Sequence, residues 1–307
     1  MWVSLPGSPL LSLLHLLSLT GTLALAAPAL TGASPGDALG SELGRTPQVV
    51  IEHQRAVAHL PLGERVAALS EPWLGAPYNV GPLGELEGVD PDPIIRYDTF
   101  DCLTFIEEAF ALALAPDAVS AQQVRMGMRY HQGAPITYEN RRHFMLAEWI
   151  PGVVEDGWFS DVTRRYDGAV RVEKDVTAAT WAGWWGRSAL PLDDERLPVG
   201  SQTFWYLPLD DALAQIDAIP PGTVVFFMRQ PAAHIPIAIT HVGVTVPGEV
   251  VTLRHASKLR DSLSDEPLAG YITHQRQYTK WPLTGVILLE GIDYGPRAPA
   301  SDGARKP

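Results

Sequence analysis

The chain is predicted to fold as an α+β domain, with helices first and an antiparallel sheet after them. Two observations carry this. Up to about residue 152 apolar residues recur at helical spacing, whereas from residue 223 short β-branched runs are bounded by Pro-Gly pairs at 221–222 and 247–248. A third concerns stability: 46% hydrophobic and 19% charged residues describe a globular chain able to bury a large core, and a single cysteine in 307 residues rules out an intrachain disulfide framework.

In chain order, residues 1–26 form an apolar stretch ending in Ala24-Leu25-Ala26, the small-x-small pattern of a cleaved export signal, although no Lys or Arg precedes it. Ser, Thr, Gly and His15 interrupt it, and a span needs about 20 apolar residues. The expectation is export to the periplasm or beyond, with no stable membrane insertion after cleavage. Residues 27–47 and 296–307 are small, Pro- and Gly-containing and aperiodic, so they read as a flexible leader and tail around one domain at 48–295. The 35 acidic against 23 basic residues, net charge -12, exclude a nucleic-acid binder, whose affinity rests on clustered Lys and Arg.

Residues 50–75 predict one or two helices, and 74–85, dense in Gly and Pro, a loop. A helix from about 101 places Leu103, Ile106, Phe110 and Leu114 on one face, with Asp101 or Thr99 able to cap it. Residues 121–133 and 141–152 predict two more. Residues 152–205 receive no assignment. The runs TVVFFM, THVGVTV, VVTLRHAS and GVILLEG then predict strands.

Cys102 opens the helix at 101. There the backbone dipole and unpaired N–H groups favour thiolate over thiol, the state of a nucleophile; on its own the residue reads equally as core filling. An exported protein that keeps one unpaired thiol gives the first reading weight. Among the histidines, His241 and His255 stand on successive strands around a Pro-Gly turn. A two-residue loop would set His241 against Arg254, whereas a three-residue loop at 247–249, or a bulge, would set it directly opposite His255.

The ordered motifs LGAPYNVGP, DCLTFIEEAFALA, YENRRHFMLAEWI, PPGTVVFF, THVGVTV and LRHAS resemble the N-acetylmuramoyl-L-alanine amidase-like family, a branch of the NlpC-type papain-like cell-wall hydrolases, over roughly residues 70–292. The resemblance implies a papain-like fold, its nucleophile at a helix start packed on an antiparallel sheet. It implies Cys102 as nucleophile, His241 as general base and His255 as the residue orienting that base. Tyr78 and Asp101 would line the site near the reacting carbonyl, and Tyr138, Arg141 and His143 would contact substrate, the guanidinium binding peptide carboxylates. The substrate would be peptidoglycan or a muropeptide, cut between N-acetylmuramic acid and L-alanine, with no metal or cofactor. Trp181, Trp184 and Trp185 could form a sugar platform.

Three alternatives stay open. One is an endopeptidase cutting further along the stem with the same Cys/His machinery, and another a non-catalytic wall-binding module. The third is a zinc amidase, for which no His-Glu-x-x-His helix is present, so that His143, His241 and His255 would have to converge.

Overall fold

The computed structural model describes residues 46–293. The expected export signal, nearly all of the leader and the tail lie outside the described residues. Helices α1 (Gln48–Val57) and α2 (Leu62–Ser70) precede the Gly/Pro-rich loop, and α3 (Cys102–Leu114) and α4 (Ala118–Arg129) follow it. The helix expected at 141–152 starts later: Arg141 is bridged to Tyr130 in extended conformation, and a π-helical turn, Met145–Trp149, runs into α5 (Ile150–Glu155).

The second half contains β1 (Phe159–Asp161), β2 (Val170–Val176), α6 (Ala178–Gly183), β3 (Gly200–Pro208), α7 (Leu209–Ala214), β4 (Thr223–Arg229) and β5 (Ile239–Val246). It ends with β6 (Thr252–Ser257), β7 (Ser262–Pro267), α8 (Leu268–Gln275) and β8 (Leu283–Gly291). The strands form one antiparallel sheet in the order β2-β3-β8-β4-β5-β6-β7, with β1 also on β8. The α+β class expected from the sequence is therefore the observed one. Among the described residues no helix is long and apolar enough to cross a membrane.

Both faces of the central strands are covered, which is why β4 reads as an unbroken apolar run rather than an alternating one. Val224, Phe226 and Met228 join the core beneath α3, whereas Val225 and Phe227 join a second core with residues of α7 and α8. Helix α3 is enclosed by α2, α4 and β5, and all of its residues but Leu103 are buried. The single apolar face expected for it is thus an underestimate: a helix apolar nearly all round is one packed on every side.

Two acids lie inside this helix. Glu108 takes a bidentate pair from Arg125, and Glu107 pairs with Arg129 at 2.8 Å while accepting from Trp149 Nε1 at 3.0 Å. All four charged side chains are buried, so each needs its partner. Glu108→Ala is expected to cost about 3–5 kcal/mol, because Arg125 would keep a buried charge without its counterion. The check is the urea midpoint of unfolding, which should fall without a change in slope.

Candidate active site

Cys102 takes the first position of α3, and Asp101 fixes how that helix begins. Asp101 Oδ1 accepts from the N–H groups of Leu103 (3.0 Å) and Thr104 (2.8 Å), and Thr104 Oγ1 accepts from the Asp101 N–H in return. Such a capping box satisfies N–H groups that the helix cannot, and a cap of this kind is worth roughly 1 kcal/mol. The other carboxylate oxygen accepts from Gly81 N–H at 3.1 Å, tying the Gly/Pro loop to the helix start. Asp101 is therefore a structural clasp. It occupies two of the amides expected to stand unpaired at the helix start, whereas the Cys102 amide lies against its own sulfur.

His241 and His255 meet across β5 and β6. Val246 pairs with Thr252 and Val244 with Arg254, so the connection is a five-residue loop, 247–251, longer than either the two- or the three-residue loop weighed from the sequence. An odd loop keeps both histidines on one face, as anticipated, but extension of this register sets Gly243 opposite His255, and His241 reaches its partner diagonally. Gly243 permits the approach. A Cβ there would stand 3.0 Å from the His255 Cβ and 2.9 Å from the Arg254 carbonyl oxygen.

His241 Nε2 lies 2.7 Å from His255 Nδ1, and His255 Nε2 lies 2.8 Å from Glu266 Oε1. Glu266, on β7, also accepts from Arg260 Nη2 at 2.9 Å. The hydrogen bond from His255, aided by Arg260, holds the Glu266 carboxyl down to about 2, so it is an ionised acceptor at neutral pH. His255 Nε2 must then donate. With His255 neutral its Nδ1 accepts, His241 Nε2–H donates, and His241 Nδ1 is left as a bare lone pair. The chain had given no sign of Glu266. Its signal is positional: His255 pairs with Ser264, so Glu266 lies two residues along β7 on the same face.

Cys102 approaches strand β5 at the residue after His241, at the end of the β5–β6 ladder. Past Val244↔Arg254, the N–H of Val242, the residue after His241, hydrogen-bonds to the Cys102 sulfur. Tyr271 of α8 packs on His241 and His255 at ring-centroid distances of 5.5 and 5.1 Å, and Phe227 stacks on His241 at 5.8 Å. Tyr78 borders both the cavity of Cys102, about 260 Å³, and that of His241, about 850 Å³. Burial, then the neighbouring Cys102 and Asp101, push its phenol far above the ordinary range, so it stays a protonated donor.

Electrostatics correct the expected thiolate. Burial, reinforced by the Asp101 charge, pushes the Cys102 thiol up to about 12, and the amides of Val242 and Cys102 offset this only partly. Burial, then His255 and Arg229, hold His241 well below the ordinary imidazole range. The resting pair is thus a neutral thiol beside a neutral imidazole. Alkylation of Cys102 by iodoacetamide is expected to be slower at pH 7 than that of a model thiol, rising about tenfold per pH unit to beyond pH 10. A rate plateau near pH 7 would contradict this.

The other expected contacts divide. Tyr138 and His143 line the Cys102 cavity. His143 Nε2 donates to the Tyr138 carbonyl at 2.6 Å, and burial pushes its imidazole down to about 4. Arg141 lines the same cavity but is not a free cation: it binds Glu85 Oε1 through Nε at 3.0 Å and Asp90 Oδ2 at 2.9 Å. That pairing, invisible in the sequence because both acids sit in the preceding loop, leaves it little charge to offer a substrate carboxylate. Trp181 and Trp184 belong to a buried cluster, so of the three tryptophans only Trp185, 64% exposed, could offer a platform. Among the described residues no three His, Cys, Asp or Glu side chains are grouped to hold a metal ion, so the three-histidine convergence does not form.

A buried thiol at a helix start, against the strand that carries one of a hydrogen-bonded imidazole pair on an antiparallel sheet, has the make-up of a Cys/His hydrolase site. Residues 68–279 match the N-acetylmuramoyl-L-alanine amidase-like (AmiA-like) family, about two thirds of the chain, and the protein belongs to that family of amidase-like hydrolases. The fold is similar to that of a Legionella pneumophila protein of known structure (TM-score 0.70, 20% identity, covering 82% of this chain and 96% of that one). It is also similar to an N-acetylmuramoyl-L-alanine amidase from Bacteroides uniformis (TM-score 0.61, 20% identity, 75% and 98% covered). Comparison with curated proteins finds no match.

Proposed function

We propose that the protein is an exported, cysteine-dependent peptidoglycan hydrolase of the papain-like, NlpC type, cutting the amide between N-acetylmuramic acid and L-alanine of the stem peptide. The observation that carries this is the hydrogen-bonded path from Glu266 through His255 to His241, which leaves a bare nitrogen on the strand whose next amide holds the Cys102 sulfur. Family membership and the likeness to a Bacteroides uniformis amidase support the choice of bond.

In this mechanism His241 removes the thiol proton as the sulfur attacks the lactyl carbonyl, and the raised thiol makes that transfer part of the attack rather than a step before it. The tetrahedral oxyanion is stabilised by the Cys102 N–H and the Tyr78 hydroxyl. Protonated His241 then gives its proton to the nitrogen of L-alanine, which leaves. A water deprotonated by the same imidazole hydrolyses the thioester and restores the thiol.

Mass spectrometry of muropeptides after digestion tests the reading. Release of an intact stem peptide beginning with a free L-alanine amine, together with unmodified muramic acid, is the expected result. Cleavage later in the stem would make the protein an endopeptidase, and retention on peptidoglycan without any cleavage would make it a binding module.

A further inference from the structure

The cavity on the His241 side has a charge character opposite to that of the chain. Against a net charge of -12, its lining includes Arg229, Lys258, Arg260 and His274 but one acid, Glu266, which is already bonded to Arg260 and His255. Arg229 is the informative member. It ends β4 beside the strand of His241 and is partly buried. Its guanidinium donates to Thr240 Oγ1 (3.2 Å), the Trp281 carbonyl (3.2 Å) and Gln275 Oε1 (2.8 Å), and stands 5.9 Å from the Tyr278 ring.

Every one of those acceptors is neutral, and among the described residues no carboxylate pairs with Arg229. The contrast with the fully buried arginines is direct: Arg125, Arg129, Arg142 and Arg254 each hold an acid within 2.8 Å. A half-buried cation without a counterion costs free energy that the fold alone does not recover. Burial works against its charge, pushing the guanidinium below the usual arginine range. Its planar fork suits a carboxylate. Arg141, the residue the sequence had suggested for that task, has its own acids.

We infer that Arg229, with Lys258 and His274 on the rim, forms a carboxylate-binding subsite that receives the acidic second residue of the stem peptide, the one after the L-alanine of the cut amide. Resting on the amidase reading, this assigns the peptide to the His241 side of the cleft and makes the free carboxylate a determinant of substrate choice.

Two ligands isolate the effect: N-acetylmuramoyl-L-alanyl-D-glutamate and N-acetylmuramoyl-L-alanyl-D-isoglutamine, which differ by one carboxylate turned to carboxamide. Binding is measured by calorimetry on the Cys102→Ala protein, and cleavage of both on the unmodified protein. The acid is expected to bind at least about tenfold more tightly. That preference should fall below about twofold in Arg229→Gln, recover in part in Arg229→Lys, and shrink with added salt. Should Arg229→Gln fail to fold, Lys258→Gln on the exposed rim should still reduce the preference severalfold. Equal binding of the two ligands, or a preference that survives both substitutions, would overturn the subsite. Because a purely structural Arg229 would affect both ligands alike, the ratio separates that role from recognition. Preference without cleavage of either ligand would sink the amidase reading and leave the subsite standing; cleavage of both without preference would do the reverse.

Discussion

Cys102→Ala is expected to abolish hydrolysis of muropeptides, by about a thousandfold or more, while the fold persists. The sulfur is the chain's one thiol, and it lies against the Val242 amide, next in the strand to His241, with the Tyr78 phenol nearby. Its removal trims a small group from the edge of the core, a loss of about 1 kcal/mol, so a melting curve near that of the parent should accompany the dead enzyme. Full activity in the purified variant would refute the nucleophile. The variant should also gain relative stability in alkali. The folded protein keeps the thiol proton up to about 12, whereas an unfolded chain gives it up near the ordinary value of 9.0. The folded parent therefore loses stability as pH rises through that interval, and a chain without the thiol does not.

Glu266→Gln should be the next most damaging change, lowering kcat by about 10²–10⁴ with little effect on KM. Ionised Glu266 can only accept, which leaves His241 Nδ1 bare. A carboxamide can donate through its nitrogen, turning His255 to the tautomer that donates to His241 Nε2. The proton of His241 then moves to Nδ1, where a base is needed. Damage of a merely structural kind would raise KM or lower the melting temperature instead. By the same logic His255→Ala should slow turnover less than His241→Ala, and the opposite order would exchange their roles.

How much of this was legible depended on where each element lies. Helix α3 and strands β4 to β6 declare themselves because the core dictates their residues: an apolar helix behind an Asp cap, and β-branched runs between turns. Strands β2 and β3 pair from Val170↔Tyr206 to Val176↔Gly200 at the margin of the sheet, largely exposed, so no apolar alternation marks VRVEKDV as a strand. Strand β7, SLSDEP, is an edge strand with one buried residue, and it hid Glu266 for the same reason. The Cys and both histidines were legible as types in a pattern. The acid that orients them depends on the β6–β7 register, and the thiol's burial depends on packing from α2, α4 and β5, neither of which has a local signature.

The four buried charges between one and two turns below Cys102 have a further consequence. Sliding α3 along its axis, or rotating it, would strand two arginines and two glutamates in a medium that tolerates none of them alone. The Cys102 sulfur therefore has one permitted address, set as a detent sets a dial, and any change in what the cleft accepts falls to the loops around that address while the helix beneath it stays put.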